Sequence, residues 1–424
     1  LGEISIRRTV GGVFVWCILS HTGYAIGKQV TNQQDSLAES AVPSFSERSD
    51  SLGIDTVFAS TAQSSRKLRY RLQRESQMIL PWKRVYHCCK TMRPDSQFVQ
   101  IHKSKDSKSA HFRGLMKCGS PWDCPVCSAQ ISEERRKELT KAVGNSNFRV
   151  ILVTYTMSHH MGERLTYVLD GLKKAYKFMR SGRKWSDFKA DWNPVGAIVS
   201  HEVTYGANGW HPHRHELMFF PADTDDFDLE LITAELKRLW LYSVEHEGFD
   251  ASWEHGLDVK SDENINREYI AKYGRDPKDA GWTVVHELAK APSKTAHRDG
   301  LTPFQLLMQS TQGNVHARDL FAEYADAYHG THPLHYSNGL RDLLGMNEEK
   351  SDEEIALQEE QDDSEYVISI APIQWNYIKR DKRELRGELL DLACRATPDE
   401  IWRWLYSMGC PKIKVYNLLD ESTW

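Results

Sequence analysis

The residues of this chain whose types and spacing can do chemistry fall into a few short runs, and the densest is HPHRHELMFF at 211–220. His213 and His215 are separated by one residue and followed by apolar side chains, so the run reads as a β-strand. Side chains alternate faces along a strand, so these two imidazoles point the same way and can hold a divalent metal. A histidine-rich strand on a solvated sheet face is the alternative. His211 shares their parity. The preceding run, VGAIVSHEVT at 195–204, leads through YGANGW, a Gly/Asn turn, so the two strands pair as a hairpin. That pairing places Glu202 beside the histidines, where a carboxylate completes a His/His/Glu site.

A second run, NREYIAKYG at 266–274, reads as a helix. Tyr269 and Tyr273 are four residues apart, on one face and about 6 Å apart along the axis, with Lys272 between them. A phenol is a poor nucleophile until deprotonated. A nearby ammonium stabilises the phenolate, and a metal on phosphate oxygens polarises the phosphorus, so this set suits phosphodiester chemistry. An amphipathic helix with a half-buried tyrosine pair is the alternative.

The third cluster is of thiols. Of eight cysteines, Cys118, Cys124 and Cys127 lie within ten residues, the last two as CPVC, and Cys88-Cys89 form a pair upstream. Three or four thiolates at this spacing make a tetrahedral zinc site. Cys118, Cys124 and Cys127 are the firm ligands and Cys88 the fourth, with Cys89 or His87 as substitutes. Nothing else in the chain points to the oxidising compartment that disulfides require.

These sites need elements to position them. FRVILVTYT at 148–156 reads as a buried strand, preceded by a charged helix from Ser128 to about Val143. Leu165, Val168, Leu169, Leu172, Tyr176 and Met179 recur at helical spacing and form a core stripe. Residues 226–243 read as another amphipathic helix and 256–260 as a short strand. The order β-α-β-β-α-β-α is that of a split βαβ, ferredoxin-like antiparallel sheet, an α+β fold.

Charge is distributed unevenly. The net charge of −5 does not advertise a nucleic-acid binder, yet Arg66–Lys117 holds fourteen Lys and Arg against three Asp and Glu. The stretch 348–365 holds ten acids and one Lys. This split suggests a basic binding surface and an acidic linker. Thr9–Gly27 is uncharged, but four Gly and a His dilute its apolarity, and no other stretch could span a membrane, so a cytoplasmic location is expected. The chain divides into an unstructured tail and linker (1–78), a cysteine-rich zinc module (79–140), a catalytic domain (141–345), an acidic linker (346–366) and a C-terminal helical region (367–424).

On these residues the chain resembles a rolling-circle replication initiator of the plasmid and phage type, in the HUH endonuclease superfamily. Three motifs stand in that family's order. ILVTYT, with Thr154 and Thr156, leads to His159-His160. GWHPHRHELMFF carries His213 and His215 at the positions of the two metal histidines. YIAKY carries Tyr269 and Lys272 at the positions of Y-x-x-K. CGSPWDCPVC resembles the cysteine-rich region that precedes the nuclease core in bacterial plasmid initiators, and LFAEYADAYHGTHPLHYSNGLRDLLG resembles their downstream segment, so the likeness covers about residues 80–345. Arg214 stands where the family usually has an apolar residue and puts a charge on the opposite sheet face. Tyr269 matches the single-tyrosine motif and Tyr273 the second of a pair; Tyr269 ranks first.

The resemblance implies binding of origin DNA, duplex and single-stranded; the basic stretch offers Arg113 and Lys117 as contacts, and Arg214, on the opposite sheet face, is a further candidate. It implies tyrosine attack on a scissile phosphate, giving a 5′-phosphotyrosine and a free 3′-OH primer, with Mg²⁺ or Mn²⁺ at His213, His215 and Glu202 and structural Zn²⁺ on the cysteines. Host helicase and DNA polymerase are the implied partners. A single-strand transposase or relaxase shares the histidine pair and tyrosine. A non-enzymatic zinc-containing DNA-binding regulator would keep the histidine strand as structure alone.

Overall fold

β-Branched and aromatic runs fix the centre of the molecule, and helices close over it. The computed structural model describes residues 61–105, 109–144, 147–261, 300–358, 364–381 and 384–412. In chain order its first elements are α1 (Thr61–Ile79), β1 (Val99–Lys103), β2 (Ala110–Arg113) and α2 (Pro125–Gly144). Next come β3 (Arg149–Tyr155), α3 (Leu165–Met179), α4 (Gly182–Trp192), β4 (Gly196–Gly206), β5 (Gly209–Phe220), α5 (Asp226–His246) and β6 (Leu257–Lys260). After residue 300 follow α6 (Pro303–Thr311), α7 (Val315–Ala327), β7 (Leu334–Tyr336), α8 (Leu340–Leu343) and α9 (Asp352–Leu357). The last are β8 (Glu365–Ile370), α10 (Pro372–Ile378), α11 (Leu385–Ala393) and α12 (Pro398–Ser407). The fold is α+β, with antiparallel sheets.

The larger sheet runs β6-β3-β5-β4-β7, each strand antiparallel to its neighbours. Its centre is the β4–β5 hairpin, in register from Gly196↔Phe219 to Gly206↔Gly209. One face is covered by α3 and α5, whose Val168, Leu172, Ile232, Leu236 and Trp240 pack on Ile151, Val153, Met218 and Phe220. Each such buried side chain contributes roughly 1.5–3 kcal/mol. The other face carries Leu152, Ile198, Leu217 and Phe219, with Leu139 of α2 and Leu340 of α8 upon them. Every residue of the expected helical stripe in α3 is buried except Tyr176, which is half-buried. α5 starts on a capping box, Asp225 accepting from Asp228 N while the Asp228 carboxylate accepts from Asp225 N.

The smaller sheet, β2-β1-β8, joins parts of the chain more than 260 residues apart. Segments expected to lie outside the folded core take part in it. Residues 61–78, expected as unstructured tail, form most of α1, which buries Leu68, Leu72 and Ile79. The same face also buries Gln73, Ser76 and Gln77, and these polar residues hide its amphipathic period. Residues 346–366, expected as an acidic linker, contain α9 and open β8. There Asp352 is buried against Arg135 at 3.0 Å, so one of the acids is neutralised inside the structure. The C-terminal region is no appendage, because Leu385, Leu389 and Leu405 share one apolar core with Leu72 and the cysteines. No helix among the described residues is long and apolar enough to cross a membrane.

Candidate metal centres and active site

Cys88, Cys118, Cys124 and Cys127 meet in the core with all four Sγ atoms within 4.8 Å of one another. Individual separations are 3.5 Å for Cys88–Cys127, 3.7 Å for Cys118–Cys127 and 3.7 Å for Cys88–Cys124. Zn–S bonds of about 2.3 Å in a tetrahedron put the sulfurs about 3.8 Å apart, so the four thiols fit that ion as they stand. Backbone N–H groups of Ser120 and Cys127 point at the sulfurs of Cys118 and Cys124, and Gln73 Nε2 donates to Cys124 Sγ at 3.3 Å. Such outer hydrogen bonds orient thiolate ligands. Hydrogen bonds from Cys118, Cys124 and Cys88 hold the Cys127 thiol well below its ordinary range, while hydrogen bonding with Cys118, Cys124 and Cys127 pushes Cys88 up. A divalent cation bound here would replace the shared protons.

Backbone geometry separates Cys88 from its substitutes. Cys89 sits at φ +50°, its N–H donated to Met116 O, with its sulfur 3.8 Å from Cys88 and outside the group of four. His87 is turned outward, with Nδ1 3.1 Å from Thr91 Oγ1.

The second cluster lies on the β4–β5 hairpin. Glu202 and His213 are register partners, and His215 faces Thr154 on β3 and Ser200 on β4. His215 is buried; its Nδ1 lies 3.0 Å from Thr154 Oγ1 and its Nε2 2.7 Å from Glu202 Oε2. The His213 and His215 rings are parallel within 3°, with centroids 5.9 Å apart. The rings continue outward, His211 4.0 Å from His213 and His159 4.5 Å from His211. Burial, helped by His159, drives His211 down to about 4, and burial with the Arg214 charge drives His201 down to about 3, so both imidazoles are neutral at physiological pH.

The Glu202–His215 pair offers donor types that suit a divalent metal, a carboxylate oxygen and an imidazole nitrogen, and at 2.7 Å the two are in direct hydrogen-bond contact, so they would have to part slightly to admit an ion between bonds of about 2.0–2.2 Å. Thr154 fixes the ring from behind, as an outer partner of a metal histidine does. The three side chains Glu202, His213 and His215 are less tightly gathered than the cysteines, which form the one group of this kind among the described residues.

Beneath the hairpin lies a set of residues that the sequence motifs do not single out. Glu216 is fully buried and accepts from Tyr155 Oη at 2.8 Å, Tyr176 Oη at 3.0 Å and the Arg180 guanidinium. Its signal is a lone acid inside the apolar run HELMFF. Arg214 is on this face as expected, but covered by α3: its guanidinium stacks 4.0 Å from the Tyr176 ring, and burial lowers its pKa. The Tyr176 ring of α3 lies on the side of Arg214 where DNA was expected. Arg113 ends β2 and donates to Ser364 at 2.9 Å, and Lys117 is half-buried beside the cysteine cluster. Tyr269, Lys272 and Tyr273 lie outside the described residues.

Residues 111–383 match the profile of the replication protein family, a stretch that takes in the histidine hairpin, three of the four clustered cysteines and both tyrosines. The chain belongs to that family. Among its relatives, the replication protein is 27% identical over 345 residues to the protein rep of Streptomyces lividans, covering 65% of this chain and 75% of that one. It is 31% identical over 140 residues to a neomycin resistance protein of Streptomyces cyanogenus, covering 26% of this chain and 32% of that one.

Proposed function

We propose that this replication protein initiates rolling-circle replication by nicking one strand of its origin DNA through a tyrosine. The observation that carries the reading is the hairpin: Glu202 on β4 brings a carboxylate to 2.7 Å from His215 on β5, beside His213. The strand order β6-β3-β5-β4 supports a split βαβ, ferredoxin-like nuclease core of the HUH type, since it is the order 4-1-3-2 of that unit. Family membership supports the rest.

Glu202, His213 and His215 would hold Mg²⁺ or Mn²⁺, which supplies charge stabilisation at the scissile phosphate. Thr154 holds the His215 ring in place. Tyr269, or Tyr273 beside it, attacks phosphorus through its oxygen. The P–O3′ bond breaks, and the tyrosine proton is matched by the one that the departing 3′ oxygen acquires. Lys272 stabilises the phenolate. The products are a 5′-phosphotyrosine and a free 3′-OH, which primes a polymerase while a helicase displaces the parental strand. Zn²⁺ on Cys88, Cys118, Cys124 and Cys127 is structural. A nicking assay on an origin oligonucleotide in Mn²⁺ tests the site: His213→Ala and His215→Ala are expected to abolish nicking while duplex binding persists. Unchanged nicking in EDTA would contradict it.

A further inference from the structure

The loop between two of the clustered cysteines docks on a helix that also grips the histidine hairpin. Trp122 lies between Cys118 and Cys124, so an ion on those two sulfurs would close the loop that carries it. Its indole N–H donates to Thr331 O at 2.5 Å, and its ring lies 4.6 Å from that of Tyr328, which caps the end of α7. Asp123, next along the loop, is buried and faces Lys83 Nζ at 3.9 Å. The same ammonium reaches Asp326 at 3.0 Å and donates to Ala325 O at 2.6 Å, both on α7.

From α7 the contacts run on to the hairpin. One oxygen of Glu323 accepts from Trp210 Nε1 at 3.0 Å, and the other accepts from Leu165 N, at the start of α3, at 2.8 Å. Trp210 is buried in β5 and directly precedes His211. Tyr328 is buried, and its hydroxyl has no hydrogen-bond partner among the described residues. Burial, helped by the Glu202 charge, pushes its pKa up. An unpaired buried hydroxyl is destabilising unless a bound group gives it a partner.

We propose that the cysteine loop sets the affinity of the hairpin for its divalent ion through α7, with Trp122 and Tyr328 as positioning residues. The inference rests on the reading that Glu202, His213 and His215 hold that ion. Those three side chains come from two strands, so affinity depends on how firmly the strands are held at bonding distance. A docked loop fixes the end of α7, and α7 holds Trp210 on one strand and lies within reach of the Glu202 charge on the other. A support fixed in advance loses little freedom when the ion enters.

The test is Mn²⁺ binding to the full-length, zinc-loaded protein, followed by electron paramagnetic resonance of the free ion. Thiolates prefer zinc, so added Mn²⁺ reports on the hairpin. Tyr328→Phe removes one oxygen and keeps the ring, and Trp122→Ala removes the contact of the loop with α7. Each is expected to keep its zinc, measured by atomic absorption, and to bind Mn²⁺ about fivefold more weakly or worse. Trp402→Ala, which deletes an indole stacked on Tyr406 outside this link, is expected to leave the affinity unchanged. Variants Trp122→Ala and Tyr328→Phe that bind Mn²⁺ as the wild type does would overturn the proposal, because a fall in Tm alone marks packing. So would an equal weakening in Trp402→Ala. If Trp122→Ala sheds its zinc or fails to fold, Tyr328→Phe decides alone. Failure of the metal reading is seen separately: the wild type would bind Mn²⁺ no more tightly than His215→Ala, and this proposal would fall with it.

Discussion

Glu202 pairs in register with His213, yet its carboxylate reaches diagonally to His215, Nε2 to Oε2 at 2.7 Å. Diagonal neighbours on paired strands are within reach of long side chains. His215 is thereby held at both nitrogens, by Thr154 and Glu202, while Glu202 keeps about 40% of its side chain exposed. The pair is fixed on the protein side and open toward solvent.

Glu202→Gln keeps the shape and removes the charge. Activity is expected to fall at limiting Mn²⁺ and to recover in part at high Mn²⁺, with an apparent metal affinity at least tenfold weaker. A metal titration of nicking rate checks this. An unchanged titration would remove Glu202 from the site.

Arg180 is the cation for Glu216, buried under the histidines with two tyrosine hydroxyls. Removing one partner of a buried pair costs about 3 kcal/mol or more. Arg180→Met is expected to lower the unfolding free energy by about that amount in urea titrations. A change below about 1 kcal/mol would mean the two tyrosines suffice for Glu216.

Gly209 turns the hairpin at φ +86°, and a Cβ there would lie 3.1 Å from His160 O. Gly182 has a similar φ of +78° with nothing within 4 Å. Gly182→Ala is expected to cost about 1 kcal/mol, from backbone strain alone. Gly209→Ala is expected to cost more and to displace the 159–162 loop. Thermal melts of the two variants compare them directly, and equal costs would show that the loop contact contributes nothing.

The cysteine cluster ties distant segments together. Gln73 on α1 donates to Cys124 and accepts from Arg386 at 3.2 Å, and Arg386 is ion-paired with Glu384 at 3.0 Å. Zinc bound by four thiolates supplies on the order of 10 kcal/mol of folding free energy. Cys124→Ser is therefore expected to expose residues 61–144 and 364–412 to protease together. Cleavage in the first segment alone would break the proposed link to the C-terminal region.

How much the sequence disclosed follows from how local each signal is. β3, β4, β5 and α5 were legible because their apolar periods are carried on consecutive residues. The gathering of the cysteines was legible by spacing, and Cys88 rather than Cys89, which sits at positive φ, joins the group of four. α4 was missed because it buries only Trp185 and Phe188 in a charged run. α1 was missed because half its buried face is polar. The β1–β8 pairing has no local signature, since each strand is short and its partner lies far along the chain. The covered position of Arg214 depends on α3, which strand parity cannot reveal.

The proposed mechanism requires a covalent bond between this protein and its DNA. The direct measurement incubates the full-length protein with 5′- and 3′-labelled single strands from its origin in Mn²⁺, then separates the products on a denaturing gel and maps the adduct by mass spectrometry. The expected result is label from the 3′ portion of the strand on the protein, carried by Tyr269, reduced or lost in Tyr269→Phe and absent from the Tyr269→Phe/Tyr273→Phe double variant. An adduct carried by Tyr273 alone would reverse their order. An adduct that survives in the double variant, or cleavage with no adduct, would contradict the tyrosine mechanism.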